Sequence, residues 1–226
     1  MGRPFLMHVF LAVPAYTGQI HIETMRSIIA GMLALMGRGD KVTLWDESGN
    51  AMISHCRDLI LARFLASDAT HLVFIDSDVV FSADSLLQLV DHQVDFVAGI
   101  YPQRRDPINY CVLWDTTKPD LCAVDGLLNV HGVPAGFLRL SRSCVERMWN
   151  WYASKQFDDK NAPQGYAVAL FDNIHEGRMY FGEDFSFCKR WRDIGGTVWV
   201  DPEIRMGHIG CKTFDGHLGN YLTERA

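Results

Sequence analysis

The sequence lacks a C-x-x-C pair, a run of basic residues and any apolar stretch approaching the roughly 20 residues that a membrane helix needs. With a net charge of −6 and no concentrated positive stretch, it offers no track for a phosphate backbone, so nucleic acid is not an expected partner. The cysteines at 56, 111, 122, 144, 188 and 211 are scattered. Reduced thiols in a reducing compartment are the simplest expectation, which makes the expected location cytoplasmic. Internal repeats and low-complexity segments are missing too, and 21% charged against 48% hydrophobic residues excludes disordered, coiled-coil and collagen-like chains. At 226 residues the chain is long enough to close a substantial apolar core as one domain.

What is present reads as an α/β protein. Residues 7–13 are nearly all apolar and end at Pro14, the pattern of a strand buried on both faces rather than of a signal peptide. Ile22, Met25, Ile28, Ile29, Met32, Leu35 and Met36 recur at helical spacing before Gly37 and Gly39. A strand over 41–45, a helix through Leu59, Ile60, Arg63 and Leu65, and a strand over 71–75 follow. This alternation predicts a parallel, doubly wound sheet, which takes ligands at its carboxyl edge. A helix begins after Ser82 and runs to about His92, and 95–99 reads as a strand. The segments 110–113, 121–124 and 127–131 look like hairpins of a smaller mixed β region. A strand over 137–140, helices over 142–153 and 183–194 and a strand over 197–200 complete the pattern. The stretch 156–165 is the expected mobile loop, and the tail beyond 200 reads as turn-rich.

Asp76-Ser77-Asp78 stands where an apolar strand stops, so its two carboxylates emerge at the ligand-binding edge. Spaced so closely, they suit one hard cation, Mn²⁺ or Mg²⁺, that can bridge the phosphates of a nucleoside diphosphate. The competing account of so short a motif is that Asp78 merely turns the chain into the helix at Ser82. Glu183-Asp184 opens a helix after Gly182, where the helix dipole favours acids without any function. As a general base Asp184 is the first candidate and Glu183 the second. His208, between Gly207 and Gly210, is a candidate third metal ligand. Arg57 and Lys212 are candidate contacts to nucleotide or phosphate, and Pro14 and Tyr16 are placed to pack on a base.

Several ordered segments resemble a known family. I-S-H-C-R-D-L-I-L-A-R-F-L (53–65) and H-L-V-F-I-D-S-D-V-V-F (71–81) look like the donor half of GT-A fold glycosyltransferases. V-P-A-G-F-L-R-L-S-R (133–142), F-G-E-D-F-S-F-C-K-R-W (181–191) and V-D-P-E-I-R-M-G-H-I-G (200–210) are similar to the acceptor half and closing metal-binding turn of bacterial and phage-type, family-2-like members. The resemblance implies a Rossmann-like GT-A fold with a central, mostly parallel mixed sheet flanked by helices. It implies a single domain, with 1–99 holding nucleotide sugar and metal and 100–226 the acceptor. It further implies metal ligands Asp76, Asp78 and His208, a base at Asp184, and nucleotide contacts from Pro14, Tyr16, Asp46 and Arg57, with Ser77 beside the donor. Ala135 and Gly136 would lie near the sugar or acceptor, where a missing side chain allows close approach. The implied donor is a UDP- or GDP-sugar, and the implied acceptor a glycan, a lipid-linked molecule or a protein. Two rivals stand beside this expectation. Asp76-Ser77-Asp78-Val79-Val80 also reads as the D-x-D-x-V of a haloacid dehalogenase-type phosphatase, with Asp76 as nucleophile. The other is a catalytically silent nucleotide-sugar binder.

Overall fold

The structure, a computed structural model, describes residues 6–115 and 123–224. The first part of the chain runs β1 (His8–Ala15), α1 (Ile22–Gly37), β2 (Lys41–Ser48), α2 (Ile53–Ala66), β3 (His71–Ile75), β4 (Val79–Phe81), α3 (Ala83–Asp91) and β5 (Phe96–Gly99). Next come β6 (Ala123–Val124), β7 (Leu127–Val130), β8 (Phe137–Ser141), α4 (Arg142–Trp151), β9 (Gln156–Asp158) and β10 (Tyr166–Val168). The chain closes with β11 (Ile174–Glu176), β12 (Met179–Phe181), α5 (Glu183–Asp193), β13 (Val198–Asp201), β14 (Arg205–Ile209), β15 (Thr213–His217) and α6 (Leu218–Thr223).

Eight strands form the central sheet in the order β2-β1-β3-β8-β5-β13-β7-β6. β1 pairs in parallel with β2 and β3, and β13 with β5, while β8 runs antiparallel between β3 and β5. The expected mostly parallel mixed sheet is the one observed. Side chains of β1 alternate between two cores: Phe10 and Ala12 enter one, Val9, Leu11 and Val13 the other. β3 does the same, with Leu72 and Phe74 on one face and Val73 and Ile75 on the other. Burial on both faces is why, after their leading histidines, these strands run apolar rather than alternating. Residues of α1 and α3 (Ile28, Leu35, Leu86, Leu89) pack in the second core, and those of α2, α4 and α5 (Leu59, Phe64, Met148, Phe187) in the first. The result is a three-layer α/β/α sandwich.

Several local expectations need correction. The tail after 200 is the antiparallel pair β14 and β15, joined by β4 into a three-stranded sheet. Its glycines misled the turn reading: a Cβ on Gly207 would meet Asp215 Oδ1 at 2.7 Å, so this glycine admits a neighbouring strand's side chain. In 156–165, residues 156–158 are strand and pair with β10, and the loop that follows is tied down where Asp159 meets His55 at 2.8 Å. Residues 110–113 contribute only the isolated bridges Pro102↔Tyr110 and Leu113↔Gly132. Of 121–124, residues 121 and 122 lie outside the described residues.

Among the described residues no helix is long and apolar enough to cross a membrane. The described cysteines are all free, and burial pushes the thiols of Cys56 and Cys188 up to about 12. They remain protonated at neutral pH and behave as small apolar side chains.

Candidate active site

A cleft of about 620 Å³ opens at the carboxyl ends of β1 and β3, with Pro14, Arg57, Asp76, Ser77, Asp78, Tyr101, Gln103, Arg104, Arg105, Glu183, Asp184 and His208 among its lining residues. Backbone pairing aims the acids. Asp76 follows the last residue of β3, and its N–H donates to the carbonyl of Gly136 at 2.9 Å, just before β8 begins. A Cβ on Gly136 would lie 2.3 Å from Asp76 Oδ2 and 2.5 Å from the Tyr101 hydroxyl, so only glycine leaves that carboxylate its place. Ala135 is buried, and its backbone amide bonds to Asp184. The expected close-approach pair therefore positions two carboxylates.

Arg57 is the hub. Its side chain is 3% exposed, and Nη2 donates to Asp76 Oδ1 at 3.1 Å while Nη1 donates to Glu183 Oε1 at 2.9 Å and to Asp184 Oδ1. Burial alone would lower its pKa, but Asp184, Asp76 and Glu183 together raise it above the ordinary arginine value, so the charge is permanent. Tyr101 donates to the other oxygen of Asp76 at 3.2 Å, and burial, followed by the nearby Asp76, keeps its phenol protonated. For Asp184, burial raises the pKa, Arg57 lowers it, and Glu183 and Asp76 raise it again, leaving it at about 6.

The second group centres on Asp78. β14 pairs with β4 in a register that sets His208 opposite Val79, and the Ile209 N–H donates to the Asp78 carbonyl at 2.8 Å. The late histidine thus stands on a strand, with Nε2 3.5 Å from Asp78 Oδ1. Its Nδ1 donates to the Pro102 carbonyl at 2.9 Å, which leaves Nε2 as the lone-pair end. Burial lowers its pKa, the Pro102 bond opposes that, and Arg104 lowers it further, so the ring is neutral. Arg104 donates through Nε to His208 Nε2 at 3.0 Å and through Nη2 to Asp78 Oδ2.

Among the described residues no three His, Cys, Asp or Glu side chains stand close enough together to hold a metal ion. Asp78 and His208 still suit a hard or borderline cation: the pair offers one carboxylate and one fixed imidazole lone pair, and a positive group already lies against both. Asp76 has both oxygens engaged by Arg57 and Tyr101.

The other candidates stand apart from the cleft lining. Tyr16 is 62% exposed. Asp46 borders a neighbouring hollow of about 260 Å³ with Val13, Ala15, Ile20 and Leu44. Lys212 pairs with Asp106 at 2.6 Å on the surface. Tyr101, Gln103, Arg104 and Arg105 were not singled out from the sequence. They come from an irregular stretch without periodicity; the pairing of Tyr101 with Asp76 and of Arg104 with Asp78, and the cleft wall that these two share with Gln103 and Arg105, reveal them.

No protein-family profile matches the chain, and no curated protein matches it in sequence. Solved structures do match. A197 from STIV superposes with a TM-score of 0.54 at 16% identity, covering 90% of this chain and 86% of that one. GalNAc-T7, crystallised with UDP, GalNAc and Mn²⁺, superposes with a TM-score of 0.49 at 10% identity, covering 92% of this chain but 45% of the other. A glycosyltransferase involved in glycosylation of the major capsid of PBCV-1 gives 0.35 at 12% identity, with 63% and 65% covered. The likeness to A197 is one of fold, and the α/β architecture agrees with the GT-A type implied by the sequence segments.

Proposed function

We propose that the chain is a glycosyltransferase that moves a sugar from a UDP- or GDP-sugar to an acceptor hydroxyl with the help of bound Mn²⁺ or Mg²⁺. The observation that carries this reading is the convergence, in one cleft at the sheet's carboxyl edge, of Asp76, Asp78, Glu183, Asp184 and His208 from segments far apart in the chain. The cleft sets four carboxylates against three guanidiniums, so a diphosphate entering it needs further positive charge. Asp78 and His208 would hold the cation; Asp76, expected from the sequence as the third ligand, would first have to give up one of its bonds to Arg57 and Tyr101. When bound, the metal neutralises the charge that grows on the departing nucleoside diphosphate.

The chain's own residues do the rest. Asp184 takes the proton of the acceptor hydroxyl; with a pKa of about 6 it is ionised at neutral pH and still basic enough to help. Glu183, held by the same Arg57 nitrogen, orients the acceptor, which is a glycan, a lipid-linked molecule or a protein. Pro14 and Ser77 line the donor side. The neighbouring hollow has apolar walls and Asp46 as a hydrogen-bond acceptor, which suits a base carrying an N–H, as uracil and guanine do. Tyr16 would have to fold over the base from outside the cleft, and Lys212 would have to leave Asp106 to meet a diphosphate oxygen. This work belongs to one domain, with 1–99 on the donor side and 100–226 on the acceptor side.

A thermal-shift panel of UDP, GDP, CDP and dTDP with and without Mn²⁺ tests the reading, because a ligand that binds only the folded state raises its apparent stability. One nucleotide is expected to stabilise the protein only with metal. The matching nucleotide sugar is then hydrolysed with Mn²⁺ stimulation, and Asp78→Ala abolishes that hydrolysis. Metal-dependent turnover of an aryl phosphate, with a phosphoryl group trapped on Asp76, would instead favour the phosphatase. Tight nucleotide-sugar binding without release of nucleoside diphosphate would favour the silent binder.

A further inference from the structure

We propose that the Arg104 guanidinium and a divalent cation are mutually exclusive occupants of one seat between Asp78 and His208, so that Arg104 must leave before metal enters. The inference rests on the metal site proposed above. Arg104 already uses both groups the cation would need: Nη2 donates to Asp78 Oδ2, and Nε donates to the lone pair of His208 Nε2 at 3.0 Å. That lone pair has no substitute, because Nδ1 is committed to the Pro102 carbonyl at 2.9 Å. One imidazole nitrogen cannot serve an N–H donor and a metal together.

The surroundings suit an arginine that comes and goes. Its side chain is 44% exposed, so leaving the seat returns it to water at little cost. Gly210 leaves room for its stem: a Cβ there would lie 3.1 Å from Arg104 Cδ. His208 keeps a support of its own, since the Tyr101 ring meets it edge-on at 4.7 Å between centroids. Once released, the guanidinium stays tethered at the mouth of the same cleft beside Arg105. A diphosphate arriving with the metal is the partner its planar fork best matches. Metal displaces the arginine and the donor receives it, which couples the two binding events through a single side chain.

Titration of the full-length chain with MnCl₂, with free Mn²⁺ read by electron paramagnetic resonance, tests this without any turnover. If Arg104 fills the seat nine-tenths of the time, Arg104→Ala binds Mn²⁺ about tenfold more tightly than the unaltered chain. Arg104→Lys, which keeps the charge but not the fork, falls between them. Arg105→Ala removes a neighbouring charge and is expected to change affinity by less than about twofold. Adding His208→Ala to Arg104→Ala removes the gain. Equal or weaker binding by Arg104→Ala, or an equal gain from Arg105→Ala, overturns the exchange while leaving the metal reading intact. Mn²⁺ binding to neither the unaltered chain nor Arg104→Ala overturns both.

Discussion

Arg57 and Arg104, two of the three arginines that line the cleft, differ in solvation more than in chemistry. Arg57 is 3% exposed and grips three carboxylates from two segments, whereas Arg104 is 44% exposed and touches one carboxylate and one imidazole. A buried guanidinium with several partners cannot leave without stranding charges in a low-dielectric site, so Arg57 is part of the frame. An exposed one exchanges its partners for water cheaply, which is what the proposed exchange with metal requires of Arg104. The buried arginine lies beside the proposed general base, and the exposed one beside the proposed metal site.

The comparison breaks most visibly at Arg57. Arg57→Ala leaves Asp76, Glu183 and Asp184 without their shared counter-charge and is expected to cost about 3–5 kcal/mol of stability, as for one partner removed from a buried pair. Urea unfolding measures it, and a loss below about 1 kcal/mol would show that solvent already screens these acids. Asp184→Asn is next, lowering turnover by roughly 10²- to 10⁴-fold. In the unaltered protein the rate should climb as pH rises through about 6, because the base must be ionised, and the substitution should erase that limb. The stability sign is the opposite. A carboxyl whose pKa lies above its ordinary 3.8 favours the folded state fully below 3.8, and that contribution is lost as pH rises through about 6. Arg104→Ala should matter least to folding, within roughly 0.5 kcal/mol, because an exposed pair contributes little. A thermal melt checks it, and a loss as large as that of Arg57→Ala would erase the distinction between the two arginines.

Much of the fold was legible in residue order. The almost wholly apolar segments that became β1 and β3, and the helical spacing of Ile28 and Leu35, are signals that burial writes directly into neighbouring residues. The acids were legible because Asp76 and Asp78 follow directly on an apolar strand and Glu183 and Asp184 begin a helix. β4 and β14 escaped notice: one is three residues long, and the other carries Gly207 where the pattern suggested a turn. The sequence suggests a nucleotide contact for Arg57 but carries no sign of its contacts within the chain, which are to Asp76, 19 positions away, and to Glu183 and Asp184, 126 and 127 positions away.

Composition and periodicity by themselves determined the layers of this protein and the strand and helix ends that carry its acids, since burying an apolar side chain leaves a mark within a few residues of it. Only the tertiary structure decided which charges meet. Pairing depends on distance and desolvation, and these are set by registers such as His208 opposite Val79, which join segments that carry no trace of one another.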